Sequence, residues 1–267
     1  MKQVILNLIV LAAFVASGCW SDTPIEASNS EHDRAIATIV AGSIGYESNG
    51  LSAILGDMVT AGTGATLRSG TGSVPAALVV TQNDSTFDPS TLSQHLILAC
   101  QRNLGDTYSE WELNYAIQYA GMKGTGEQRV PVDARAAVTH ADGTYRNSLL
   151  TAHGKSMGKI GFVEPGAGRS AWLGGEYTWE GTSTLQGREE SYGDVSIALS
   201  WNRLHVQCSN DGPLLNGRCD VTIRANGPQG AIVRNGSITF QGNRALLAIG
   251  GRRYQVSVRS PEHLTEA

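Results

Sequence analysis

Apolar residues recur along this chain in two rhythms, and the change between them falls near Pro75. Upstream, Ala35, Ile36, Ile39, Val40 and Ile44 repeat at helical spacing, and so do Leu51, Ile54, Leu55, Met58 and Val59. The pattern predicts two short helices, at about residues 34–48 and 51–61. Ser30 and Asp33 stand upstream as caps, and Asn49-Gly50 reads as the stop between the helices. Ala41, Gly42, Ser43 and Gly45 allow a close helix contact, although each Gly weakens a helix by about 1 kcal/mol. Buried packing accounts for that stripe. Residues 62–74, GTGATLRSGTGSV, then lose the apolar period and read as a Gly-rich connector.

From Pro75 the rhythm becomes that of β structure. Trp111, Leu113, Tyr115, Ile117 and Tyr119 alternate with Glu112, Asn114 and Gln118, so one face is apolar and the other polar. Ala76 to Thr81 and Leu92 to Cys100 are also strand-like, and Asn103–Gly105 supplies a turn before the Trp111 strand. Helix competes for the Leu92 and Trp111 segments, because neither is rich in β-branched residues. Ala136 to His140, a turn at Asp142-Gly143 and Tyr145 to His153 read as a hairpin. Gly158 to Val163, Glu176 to Leu185, Val195 to Gln207 and Asp220 to Ala225 are further strands. The C-terminal part alternates short strands with Asn235-Gly236, Gly242-Asn243 and Gly250-Gly251 turns as far as Val258, which is a meander. The chain therefore reads as mainly β, an antiparallel sandwich or barrel-like meander preceded by a short helical pair.

The N-terminus is patterned differently again. Lys2 is followed by an apolar run from Val4 to Phe14, broken only by Asn7, then by the small residues Ala16-Ser17-Gly18 and by Cys19. This stretch resembles the signal and lipobox of bacterial lipoproteins. The resemblance covers only about the first twenty residues, and Ala16 stands where those proteins commonly carry Leu. It implies cleavage before Cys19, a diacylglyceryl group on its sulfur, and an exported domain tethered to a membrane. The same small residues fit an ordinary secretory cleavage, which would leave Cys19 a free thiol or disulfide partner. The apolar run falls short of the roughly 20 residues that a membrane span needs. Trp20 is not the Asp that marks retention at the inner membrane in enteric lipoproteins, which points to the outer membrane or cell surface. The segments are then a signal at 1–18, an anchor and tether at 19–33, helices and connector at 34–74, and a β-rich domain at 75–260.

Composition adds limits. The chain has 267 residues and a net charge of −4, which does not suggest nucleic acid. Its 32 Gly follow no G-X-Y period, so they mark turns rather than collagen. Of the four Cys, Cys208 and Cys219 bracket SNDGPLLNGR, a turn-rich stretch between two strand-like runs. A disulfide between them across the base of a hairpin loop is expected, worth roughly 2–4 kcal/mol. Cys100 is the rival partner for either.

Candidate chemistry is sparse. Gly154-Lys155-Ser156-Met157-Gly158 matches G-x-S-x-G, with Asp194 and His205 following in chain order as acid and base. A nucleophile elbow requires a helix directly after the Ser, whereas Gly158, Gly161 and Pro165 interrupt any such helix. No phosphate-loop spacing fits either Gly-rich stretch. The six His form no close ligand pair, so neither metal nor cofactor is assigned. Trp111 and Trp201 sit in alternating apolar runs and read as core. Trp172 and Trp179 lie beside Gly174-Gly175 and Glu176, where exposure would let them stack on sugar rings. Three functions follow as expectations. The first is a non-catalytic, lipid-anchored envelope protein with a structural or interaction role, whose partner is an envelope protein or glycan. The second is a glycan- or ligand-binding module using Trp172 and Trp179. The third is a serine hydrolase using Ser156.

Overall fold

Alternation decides which side of each strand meets the core, and it does so over much greater lengths than the sequence segments suggest. The computed structural model describes residues 30–62, 78–104, 106–124, 130–165, 169–187, 190–209, 211–260 and 264–267. The signal, Cys19 and the Gly-rich connector lie outside these residues, apart from Gly62. Two helices, α1 (Ser30–Ile44) and α2 (Leu51–Gly62), precede twelve strands. The strands are β1 (Leu78–Asp88), β2 (Ser93–Leu104), β3 (Thr107–Lys123), β4 (Val130–Arg146), β5 (Leu150–Pro165) and β6 (Ser170–Leu185). They continue as β7 (Glu190–Ser209), β8 (Gly212–Gly227), β9 (Gly230–Gly242), β10 (Arg244–Ile249), β11 (Arg252–Ser257) and β12 (Leu264–Glu266). Each pairs antiparallel with its neighbour in chain order, giving one open meander sheet from β1 to β12.

The helices sit on the inner side of this sheet. α1 packs against β5, β6, β10, β11 and β12, while α2 packs against β4, β6, β7 and β8. A helix touched from several directions must be apolar or small all round, and every residue from Ala35 to Ile44 and from Leu51 to Val59 is buried. Ile36, Val40, Ile44, Leu51, Ile54 and Leu55 are fully enclosed, each contributing about 1.5–3 kcal/mol by removal from water. The turn between the helices is tied to the sheet at two places. Tyr46 and Glu47 N–H groups donate to Val258 and Arg259 carbonyls at 2.8 and 3.0 Å. Asn49 donates to Ser109 on β3 at 3.4 Å. Asn49 itself adopts φ 55° just before α2, as a chain stop requires.

The polar groups buried with the helices are matched by the sheet. Asp57 of α2 accepts a 2.6 Å hydrogen bond from the Tyr115 hydroxyl. Asp33 is not a cap but an internal residue of α1, fully buried, with Oδ1 held 2.9 Å from Nε of Arg234 on β9. An ion pair this buried is costly to break from one side, at about 3–5 kcal/mol.

Several expected turns are strand interiors. Asp142-Gly143 lies within β4, paired with Glu112 and Trp111, and Asn235-Gly236 lies within β9. The chain between β4 and β5 turns instead at Asn147, whose Oδ1 accepts from the N–H groups of Leu149 and Leu150. Both segments for which helix competed are strands, β2 and β3, and the alternating face of β3 is as read: Trp111, Leu113, Tyr115, Ile117 and Tyr119 all point inward. Inward glycines serve those rings. A Cβ on Gly143 would meet the Trp111 ring and the Glu110 carbonyl, and one on Gly154 would meet the Trp179 ring and the Glu180 carbonyl.

The outer face mixes charged residues with exposed Ile97, Val138, Met157, Val163 and Val233. Asp142 pairs with Lys155 across β4 and β5 at 3.3 Å, and Lys159 with Glu176 across β5 and β6 at 2.9 Å. These exposed pairs contribute little stability.

Candidate functional site

Along β7 the buried apolar residues Leu199, Trp201, Leu204 and Val206 are spaced by two, three and two. The odd step is a β-bulge. Between the pairs Gly175↔Trp201 and Leu173↔Leu204, Asn202 and Arg203 of β7 face the single residue Gly174 of β6. Between Ser200↔Asp220 and Leu204↔Gly217, three residues of β7 face two of β8. Gly174 makes the bulge possible, because a Cβ there would lie 2.8 Å from the Asn202 carbonyl oxygen. Bulges bend a strand and re-aim its side chains.

Here the bulge opens an outward cleft of about 790 Å³, lined by side chains or backbone of Lys159, Glu176, Asn202, Arg203, Arg218 and Asp220 among others. Arg203 is fixed on two sides. Its Nη2 lies 2.6 Å from Glu164 Oε2, and its guanidinium carbon lies 4.3 Å from the centre of the Trp172 ring. A cation over an indole face is attracted by the ring quadrupole. His205 stands against the same Trp172, with ring centroids 4.8 Å apart. Trp201 lines the cleft from the buried side, and its indole N–H has no acceptor among the described residues.

The two Trp residues expected together on an exposed face are separated by the sheet. Trp179 points inward and is buried, whereas Trp172 is on the outer side beside the cleft. Ser156 lies in the middle of β5, buried, with the Tyr177 hydroxyl as its polar neighbour. His205 occupies an outward position of β7, between the inward Leu204 and Val206, and Asp194 is an exposed residue that accepts from Asn226. The sheet thus places Ser156 and His205 on opposite faces, so they do not form a nucleophile and base.

The expected disulfide between Cys208 and Cys219 is overturned: neither residue is in a disulfide. The reading assumed a long hairpin loop after β7. The turn is instead tight, between Ser209 and Gly212, and Pro213 onward is already strand. Cys208 faces Pro213, and Cys219 lies six residues farther along β8. At roughly 3.3 Å per residue that offset is about 20 Å, against the roughly 4.4–6.8 Å between Cα atoms that a bridge needs. Cys208 instead donates to the Gly56 carbonyl of α2 at 3.4 Å.

Glu164, Arg203 and Arg218 were not singled out by motif. The signal for them was the three-residue step between Trp201 and Leu204, which places a bulge beside Gly174-Gly175. Among the described residues, no group of His, Cys, Asp and Glu is arranged to hold a metal ion, and no helix is long and apolar enough to cross a membrane. Compared with known proteins, the chain matches no family model, no curated protein and no solved structure.

Proposed function

We propose that this chain is an exported, lipid-anchored envelope protein that acts through contacts of its outer face, in a structural or interaction role without catalysis. One observation carries the reading: the chain's own helices fill the inner side of the sheet. Small-molecule binding proteins built on β-barrels keep that space for the ligand. In this chain the side chains that remain available to a partner are those on the outside, charged and polar ones interspersed with exposed Ile97, Val138, Met157, Val163 and Val233. The lipobox-like sequence supplies the anchor at Cys19, and Trp20 favours the outer membrane or cell surface as the destination. An envelope protein or a glycan is the partner class.

A second reading is favoured by the β7 bulge. The cleft beside it makes the domain a ligand-binding module, with Trp172 at its margin rather than Trp172 and Trp179 together. Lipid attachment is tested by metabolic labelling with a palmitate analogue. Wild-type protein is expected to take up label that the Cys19→Ala variant does not. Equal labelling of the two, or none in the wild type, would contradict the anchor.

A further inference from the structure

We propose that the open half of β9 is a docking edge, which takes an extended segment of another envelope protein as one further strand of the sheet. The inference rests on the interaction role proposed above and names the form of the partner. β9 pairs with β8 along its whole length, from Gly230 to Gly242. β10 is shorter and covers only Gly236 to Gln241. Ala231 to Asn235 therefore have a neighbouring strand on one side alone.

The turns fix where the backbone groups point. Gly227 and Gly230 close one two-residue turn, and Gln241 and Arg244 close another. Residues that flank such a turn exchange both hydrogen bonds, and the bonding side then alternates along the strand. Gly230, Ile232 and Arg234 thus bond to β8, while Ala231, Val233 and Asn235 aim N–H and C=O at the open side. All three are exposed, Val233 at 56%. No backbone hydrogen bond among the described residues reaches them from that side. The Val233 carbonyl accepts from Nη1 of Arg234 at 3.1 Å, so the edge is left richer in donors.

Exposed edges invite pairing, and proteins blunt them with charges or very short strands. Both ends of this sheet are guarded in that way: β1 carries exposed Asp84 and Asp88, and β12 spans only Leu264–Glu266. The open half of β9 has no such guard. Its charged residue, Arg234, turns inward to Asp33 at 2.9 Å, and Gly230, Ala231, Ile232, Val233 and Asn235 are uncharged. Such a row of N–H groups beside an exposed Val matches an extended chain. The main chain of the incoming strand supplies affinity, and its alternate side chains supply selectivity. A second copy of β9 does not fit. Laid antiparallel with its Ala231 opposite Asn235, it would drive its Gly230 and the turn beyond into Ile249, which already sits beside Gly236. The notch instead takes about five residues of extended chain, roughly 17 Å.

The test is residue-resolved amide hydrogen exchange on the full-length protein in detergent. The probe is an acetylated and amidated pentapeptide of alternating threonine and valine. In the free protein the amides of Ala231, Val233 and Asn235 are expected to exchange at least about tenfold faster than those of Ile232 and Arg234. Millimolar peptide should slow the three by about fivefold or more, and the same peptide N-methylated on every residue should not. Val233→Pro removes the central donor and should abolish the slowing at Ala231 and Asn235. Thermal melting checks the fold, and Asn235→Pro replaces Val233→Pro if the latter does not fold. Equal slowing by the two peptides, or by neither, would overturn the docking edge. Slow exchange of all three amides before peptide is added would show an edge already covered and would overturn the partner. The cover is a second copy if dilution restores fast exchange, and this chain itself if it does not. Palmitate labelling decides the anchor independently of each of these outcomes.

Discussion

Cys219 carries its thiol into the packed interior, and burial pushes its pKa from 9.0 up to about 12, with neighbouring Asp220 acting in the same direction. Burial also raises the Cys208 thiol, partly offset by the Thr60 hydroxyl and by Arg169. Tyr119 rises from 10.0 to about 12 for the same desolvation reason. In each case the unfolded chain loses its proton at a lower pH than the folded one. The contribution to stability is then complete below the unfolded pKa and is lost as pH rises towards the folded value. Stability measured by denaturant titration is expected to fall between the unfolded value of 9.0 and the folded value of about 12 for Cys219, and less steeply in Cys219→Ala. A flat profile across that window in the wild type would contradict the burial. The same enclosure should keep Cys208 and Cys219 silent to a thiol reagent at about pH 8. Both should titrate after unfolding without reductant, whereas a linked pair would remain silent.

At the scale of the strand, glycine decides where aromatic rings can lie. Gly154→Ala would push a Cβ into the Trp179 ring and the Glu180 carbonyl, and overpacking of that kind costs about 1–3 kcal/mol. Gly121, also in a strand, has nothing within 4 Å of its would-be Cβ, so Gly121→Ala should move stability by no more than about 0.5 kcal/mol. Urea titration of the two variants compares them directly. Equal effects would refute the packing of the ring on Gly154. These glycines also explain what the sequence concealed. Asp142-Gly143 and Asn235-Gly236 carry the hairpin signature, yet their Gly residues are inward positions kept bare for a neighbour, Trp111 at Gly143 and β10 at Gly236. Turn chemistry and close packing select the same residue type, and one sequence does not separate them. Where side-chain character alone decided, as along β3, the inward and outward faces were legible residue by residue. The β7 bulge was legible as well, in the step from Trp201 to Leu204, but only to a reader already holding the strand.

For the molecule as a whole, periodicity announced the helical pair and the meander but not their relation. A helix buried on one side and a helix enclosed on all sides share the same apolar spacing. The second is distinguished only by small and apolar residues around its full circumference, as in ATIVAGSI. Enclosure of the helices gives the sheet its core. The disulfide failed for a topological reason, since long strands in a meander meet at tight turns and leave no loop to staple. Charges stand on outward positions of β4, β5 and β6, and the proposed function assigns the hold on a membrane to Cys19. Fractionation of cells expressing Cys19→Ala tests that account most directly. The expected result is mature protein released from the membrane fraction and soluble without detergent, with the wild-type fold by circular dichroism. Folded variant that still pellets with membranes at wild-type level after a high-salt wash would contradict it.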